Sequence, residues 1–305
     1  MITLRNFLEN NKTESSLREI IIAISKACKY VNAEIRMKDM DKCGDQNASG
    51  DTQSTLDVES DRIVEYHLED TKLVKTIASE EKKDVVQHPN LDSEYFVAYD
   101  PYDGGSVGDA NITFGSIFGI WNKNPLKDKL RNSMVAGCYA LYGPKVTFML
   151  AIDSENMAMF ELNEVGDFIL LRTEFNIKED IEMFLPGNLK ATLDSKNYKD
   201  AVDEWIANGK KLRYSGALVT DINHILIKGN GIFTYPSDSS HPNGRLRLLY
   251  EGAPLGYILE CAGGVATDEL GDNLIDKELK DYHQTSSFVL GSKNEVIKFT
   301  DKFKA

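Results

Sequence analysis

Residues 95–106 read Tyr95-Phe96-Val97-Ala98-Tyr99-Asp100-Pro101-Tyr102-Asp103-Gly104-Gly105-Ser106. The first five residues have the composition of a short buried strand. Asp100 and Asp103 therefore fall at a strand's carboxyl end, the edge where open α/β sheets hold their ligands. Pro101 is expected to stop the strand, and Gly104-Gly105 lets backbone N–H groups approach an anion closely. Two carboxylates followed by an amide-rich turn suit a metal-assisted phosphate site. A hard cation such as Mg²⁺ takes oxygen ligands from a few carboxylates together with the substrate's own phosphate.

Further acids lie on either side. Ser79-Glu80-Glu81 closes a second apolar run (Leu73, Val74, Ile77), and Asp51 and Asp57 sit within Gly50-Asp51-Thr52-Gln53-Ser54-Thr55-Leu56-Asp57-Val58. Taken singly, each has an ordinary alternative. Asp100 and Asp103 fit a solvated turn, Glu80-Glu81 fits surface charge, and Asp51 or Asp57 fits a helix cap ahead of Ile63, Val64, His67 and Leu68.

The 305 residues, 42% of them hydrophobic, can bury one large α/β core or two modest ones. A net charge of −13 argues against nucleic acid and anionic membrane as partners. Cys28, Cys43, Cys138 and Cys261 form neither a Cys-x-x-Cys pair nor a zinc spacing, which suits a reducing compartment. With no signal-peptide core and no apolar run near membrane length, a cytoplasmic location is expected.

Ser16 to Arg36 shows helical periodicity with a Ser16-x-x-Glu19 capping box, and residues 146–152, 158–162 and 168–173 read as a strand meander. Residues 218–227 and 248–261 read as helices around a turn-rich 236–244. The expected architecture is two α/β halves, 1–180 and 181–305, with the active site between them. His67, His224 and His283 read as helix or turn residues.

Order and spacing of the blocks resemble the fructose-1,6-bisphosphatase and sedoheptulose-1,7-bisphosphatase family. The matching residues are Gly50-Asp51, Leu56-Asp57-Val58, Ser79-Glu80-Glu81, Asp100-Pro101-x-Asp103-Gly104 and Phe114-Gly115-Ser116-Ile117-Phe118-Gly119-Ile120-Trp121. They continue with Arg213-Tyr214-Ser215-Gly216, Gly231-Ile232-Phe233-Thr234-Tyr235-Pro236, Leu246-Arg247-Leu248-Leu249-Tyr250-Glu251 and Gly291-Ser292. The resemblance implies the sugar-phosphatase fold, an α/β protein layered as an αβαβα sandwich. It also implies hydrolysis of a sugar 1-phosphate by metal-activated water. Mg²⁺, two or three per site with Mn²⁺ as an alternative, would be held by Glu80, Asp100, the Tyr102 carbonyl, Asp103 and Glu251. Glu81, with Asp57 and Asp51, would polarise the water. Backbone N–H groups of Gly104, Gly105 and Ser106 would cradle the released phosphate.

By the same resemblance Asn188, Arg213, Tyr214, Leu218, Tyr235, Arg245 and Arg247 would hold the sugar bisphosphate, Arg213 by reaching into a neighbouring subunit of a homodimer or homotetramer. An anionic substrate on an acidic chain then makes sense, since metal neutralises the acids and a local basic cluster grips the second phosphate. Some positions depart from the family. Gly105 stands where Ser is usual, and Arg245 where many relatives have Lys. Glu94 and Asn122 replace cations of AMP-inhibited members, so strong AMP inhibition is not expected. Cys43 lies in the region of a redox-regulated pair of some chloroplast members but has no second cysteine nearby.

The segments 184–194, 253–256 and 291–299 look more like the sedoheptulose branch, whereas Tyr235-Pro236 and Pro242-Asn243-Gly244-Arg245 are closer to the fructose branch. The expectation is hydrolysis of sedoheptulose 1,7-bisphosphate to sedoheptulose 7-phosphate. A fructose-1,6-bisphosphatase or a dual-specificity enzyme is the alternative. A non-catalytic sugar-phosphate sensor is more remote, because it would be expected to have lost a metal carboxylate. An inositol-phosphate phosphatase would share the Asp100-Pro101-x-Asp103-Gly104 core, but the Arg213 and Leu246–Glu251 blocks point away from it.

Overall fold

The computed structural model describes residues 1–37, 42–46 and 52–304. Asp51, and the side chains of Cys43 and Ser106, lie outside the described residues.

The periodic stretch near the start folds as helix α2 (Ser15–Met37), preceded by α1 (Leu4–Asn10). Leu17, Ile20, Ile21, Ile24, Cys28 and Val31 form its buried face. The Ser16–Glu19 capping box does not form. Glu14 caps instead, its carboxylate accepting the Leu17 N–H at 2.9 Å. Against the upward pull of burial, N–H bonds from Ser16 and Leu17 hold the Glu14 carboxyl down at about 2. Glu19 is drawn outward to the Arg5 guanidinium at 2.7 Å and 3.0 Å. A short ribbon, β1 (Lys42–Gln46) with β2 (Thr52–Ser54), leads into α3 (Thr55–Asp70).

Among the described residues the large sheet has eight strands: β3 (Val74–Ser79), β4 (Val86–Gln87), β5 (Tyr95–Asp103), β6 (Phe114–Trp121), β7 (Met134–Tyr142), β8 (Val146–Ala151), β9 (Met157–Leu162) and β10 (Phe168–Arg172). Their order is β10-β9-β8-β7-β6-β5-β3-β4, with β3 parallel to β5 and the other pairs antiparallel. The expected meander is the run from β8 to β10. Two single-turn helices, α4 (Gly105–Gly108) and α5 (Leu130–Ser133), interrupt the strand connections.

Contrary to expectation, Pro101 does not end its strand. The β3 ladder has already stopped at Ser79↔Tyr99, so the missing N–H of Pro101 costs no bond on that side. On the other side the β5–β6 register shifts between Asp100 and Asp103, and the Ser116 hydroxyl donates to the Pro101 carbonyl at 2.7 Å. Proline is accommodated at a bulge.

The second sheet collects β11 (Met183–Pro186), β12 (Lys211–Leu212), β13 (Ile232–Tyr235), β15 (Val265–Thr267) and β17 (Phe288–Gly291), in the order β12-β11-β13-β17-β15. Strands β14 (Leu246–Arg247) and β16 (Thr285–Ser286) pair separately. Helices α6 (Lys196–Ala207), α7 (Leu218–Lys228), α8 (Ala253–Cys261) and α9 (Lys293–Lys304) complete the chain. The 248–261 stretch is not one regular helix, because Leu248–Gly252 forms a wider π turn before α8 begins.

Three apolar clusters define five layers. One lies between α1–α3 and the large sheet, and another between the small sheet and α6 with α9. The largest joins residues of the large sheet (Ile117, Tyr139, Met149), of α7 and α8 (Leu226, Ile258) and of the small sheet (Leu185, Phe233, Leu290). This is the expected αβαβα sandwich, with α7 and α8 as the central layer. Arg131 pins that layer from the side, its guanidinium donating to Glu260 at 2.8 Å and Asp276 at 2.6 Å.

Gly115 on β6 sits opposite Asp103 of β5, and a Cβ there would lie 2.1 Å from the Ala140 carbonyl oxygen and 3.0 Å from Val219 Cγ1. Gly115→Ala must therefore separate β6 from β7 or from α7. We expect it to cost about 2 kcal/mol or more, read as a fall in Tm of roughly 4 °C or more in thermal unfolding.

Candidate active site

Asp100, Asp103 and Glu251 are all buried and can place one carboxylate oxygen each within 4.8 Å of the others. Three local devices hold these like charges together. The bulge of β5 turns Asp100 back on its own strand, where an oxygen accepts the Tyr102 N–H at 2.8 Å. Asp103 Oδ2 accepts the Val219 N–H at 2.6 Å, within the positive first turn of α7. Glu251 lies in the π turn and accepts the N–H of Arg247. Gly104 joins β5 to α4 at φ +106°, where a side chain would strain the backbone and a Cβ would meet Ala217 Cβ at 2.7 Å.

Burial first, then the Glu80, Asp103 and Glu251 charges, pushes the Asp100 carboxyl well above its usual range. Burial also raises Asp103 to about 6, with the α7 N–H groups pulling the other way, and raises Glu251 to about 8 together with the Asp103 charge. Glu80 is half-buried beside them, 3.6 Å from the Arg247 guanidinium. Glu81 follows on the same turn, its N–H donating to Ser79 Oγ at 3.2 Å.

Asp57 fulfils its ordinary alternative, forming a reciprocal capping box with Ser54 at the start of α3. It also faces the glycine turn, since a Cβ on Gly105 would lie 3.8 Å from Asp57 Oδ1. The first amides of α4 have no intrahelical acceptor by geometry.

Of the residues expected to hold the sugar bisphosphate, Leu218 is buried at the start of α7, and Tyr235 packs half-buried against the central core. Arg213 and Tyr214 are exposed. Arg245 and Arg247 line a cleft of about 290 Å³ with His241, Asn243 and Thr285. The Asn188 amide donates to the Pro236 carbonyl at 3.1 Å and to Asp238 at 3.0 Å, so both its hydrogens are committed to the adjoining loop. A hydrogen bond donated from Asn188 to a sugar would first have to break one of these.

A family model described as the N-terminal domain of fructose-1-6-bisphosphatase matches residues 2–173, and one described as its C-terminal domain matches residues 177–304. The chain belongs to the fructose-1,6-bisphosphatase family. A class 1 fructose-1,6-bisphosphatase of Campylobacter curvus is 37% identical over 286 residues, covering 92% of each chain. One of Geobacter sulfurreducens is 37% identical over 300 residues, covering 97% of this chain and 93% of its own. Among solved structures, Leishmania major fructose-1,6-bisphosphatase in holo form superposes with a TM-score of 0.93 at 28% identity, covering 99% of both chains. A Toxoplasma gondii protein with the working name sedoheptulose-1,7 bisphosphatase gives a TM-score of 0.91 at 26% identity, covering 100% of this chain and 99% of its own.

This member of the fructose-1,6-bisphosphatase family is a sugar bisphosphatase, hence a phosphoric monoester hydrolase, and enzymes of the family are metal-dependent. Its residues fit such a metal. Three buried carboxylates whose oxygens approach one another form an all-oxygen donor set, and burial first, then neighbouring carboxylate charge, raises their pKa values, which a bound cation would offset. No described helix is long and apolar enough to cross a membrane.

Sequence reading missed Asp221. It is buried in the first turn of α7 and accepts the Ser215 N–H at 2.9 Å, fixing the loop that carries Tyr214, and burial pushes it up to about 7. The available signal was an acid inside the apolar stripe Leu218, Val219, Ile222, Ile225.

In metal-free protein the folded state keeps protons that the unfolded chain has released, so stability falls as pH rises from about 4.5 through Asp103 at about 6 to Glu251 at about 8. We expect Glu251→Gln, with chelator, to raise Tm at pH 8 by about 3 °C or more and to leave it unchanged near pH 4.5. An unchanged or lower Tm at pH 8 would show that burial and its neighbours do not raise the Glu251 carboxyl.

Proposed function

We propose that the chain hydrolyses the 1-phosphate of fructose 1,6-bisphosphate. The observation that carries this reading is that relatives named class 1 fructose-1,6-bisphosphatase match both halves at 37% identity, including the segments that bear the buried carboxylates. The expectation from sequence leaned to the seven-carbon sugar, and these names move the preference to its alternative. Sedoheptulose 1,7-bisphosphate stays as a second reading, favoured by segments 184–194, 253–256 and 291–299 and by the Toxoplasma neighbour's name.

In this reading Glu80, Asp100, Asp103, Glu251 and the Tyr102 carbonyl would hold two or three Mg²⁺, with Mn²⁺ as the alternative. When bound, the metal supplies positive charge to the phosphate and acidifies the attacking water. Glu81 would accept the proton of that water, with Asp57 and Asp51 assigned to the same task. Amides of Gly104, Gly105 and Ser106 receive the departing phosphate oxygens. Arg245 and Arg247 hold the far phosphate by charge-assisted hydrogen bonds, while Tyr214, Tyr235, Leu218 and Asn188 frame the sugar. Arg213, exposed in one copy of the chain, serves the site of a second copy in a homodimer or homotetramer. We place the enzyme in the cytoplasm, without strong control by AMP.

The test is phosphate release with Mg²⁺ on both sugars, with a chelator control. We expect kcat/KM to favour fructose 1,6-bisphosphate by tenfold or more, about 1.4 kcal/mol in the transition state. The reverse ratio would establish the second reading, and silence on both sugars with metal present would leave a sugar-phosphate sensor. Glu81→Gln should lower kcat on the order of 10² in a folded protein. Near-normal turnover in that variant would remove Glu81 from the role of base.

A further inference from the structure

His283 reads from sequence as a turn residue, and nothing in the proposed chemistry uses it. It lies in the loop between the short turn Leu274–Asp276 and β16, its backbone N–H donating to Asp281 Oδ1 at 2.7 Å. Its ring reaches across to the N-terminal half. Nε2 is 3.0 Å from the carbonyl oxygen of Lys82, and since a carbonyl can only accept, Nε2 carries the hydrogen. Lys82 directly follows Glu80 and Glu81. The other face of the site is equally close, because the ring packs on Tyr250, 5.4 Å between centroids, and Tyr250 precedes Glu251.

The turn that His283 holds is also fixed from its own half. The Glu80 N–H donates to the Tyr99 carbonyl at 3.0 Å and the Glu81 N–H to Ser79 Oγ at 3.2 Å. The Lys82 ammonium pairs with Asp61 at 2.9 Å and with Glu65, and Asp61 accepts the Tyr99 hydroxyl at 2.8 Å. These bonds tie the turn to α3 and β5. From the C-terminal half the Arg247 guanidinium lies 3.6 Å from the Glu80 carboxylate, while the Arg247 N–H donates to Glu251. The His283 ring adds a second attachment from the C-terminal half, this one to the backbone of the turn.

We propose that His283 is a positioning residue. Its Nε2–H bond to the Lys82 carbonyl, with Tyr250 behind the ring, holds the Glu80-Glu81 turn in register with Glu251, so that the acids of both halves act on one substrate. This rests on the reading of Glu80 and Glu81 given above. A neutral bond to a backbone carbonyl adds little to global stability. Loss of registration at the reacting centre is amplified, since a misplacement of about 1 Å can cost 10²-fold in rate.

Three variants separate the roles of this side chain, each assayed in the full chain for kcat, sugar KM, half-saturating Mg²⁺ and Tm. His283→Phe keeps a ring on Tyr250 without a donor, His283→Gln keeps a donor without the ring, and His283→Ala removes both. We expect Phe and Ala to lower kcat about tenfold or more and to raise half-saturating Mg²⁺, with sugar KM within about twofold. Gln should recover most of the loss. The Phe variant's Tm should stay within about 3 °C of wild type. In a Glu81→Gln background, His283→Phe should lower kcat much less than it does alone, because both changes impair the same element. A Phe variant with near-normal kcat and Mg²⁺ dependence would overturn the proposal. So would equal losses in Phe and Gln that follow a fall in Tm. If Glu81→Gln alone were silent, the assignment of Glu81 would fail, independently of the His283 result.

Discussion

Asp100 and Asp103 on one half and Glu251 on the other must occupy one buried point, and their mutual repulsion is the constraint around which the rest is arranged. Each acid accepts a backbone N–H bond. Asp100 is bonded to its own strand, Asp103 to the first turn of α7, and Glu251 to the residue four positions before it. Such bonds fix carboxylate geometry without neutralising it, which leaves the charge available to an ion.

That arrangement explains features that would otherwise be costs. The bulge at Pro101, the left-handed Gly104 and the π turn at Leu248–Gly252 each depart from regular structure, and each lies beside one of the three acids. The central helices matter for the same reason. α7 offers its N-terminus to Asp103, and its first turn also anchors the Tyr214 loop through Asp221, so one short segment sets both the acidic cluster and that loop.

Much of this was legible in the residues. The apolar run Tyr95–Tyr99, the spacing of Asp100 and Asp103, the meander of β8 to β10 and the periodic face of α2 are local signals, and the folded chain follows them. What could not be read depended on partners distant in sequence. Pro101 tolerates a strand because the neighbouring ladder has stopped, and Glu14 displaces Ser16 as a cap because Glu19 has Arg5. The Asn188 amide is turned into its loop by Asp238, and His283 acquires a role only through a carbonyl 201 residues away. The choice between six- and seven-carbon sugars is of this kind as well, since blocks of the same chain point both ways.

The order of strands in the small sheet bears on how the protein is made. β17 follows every other described strand in the chain, yet it lies between β13 and β15 and hydrogen-bonds to both. Until residues 288–291 have been synthesised, the small sheet is split, and the apolar faces that β17 will cover with Phe288 and Leu290 have no partner. The nascent chain thus carries a slot-shaped hydrophobic gap until β17 is made. A product cut short before residue 288 would retain it permanently, as a surface for chaperones or proteases to recognise.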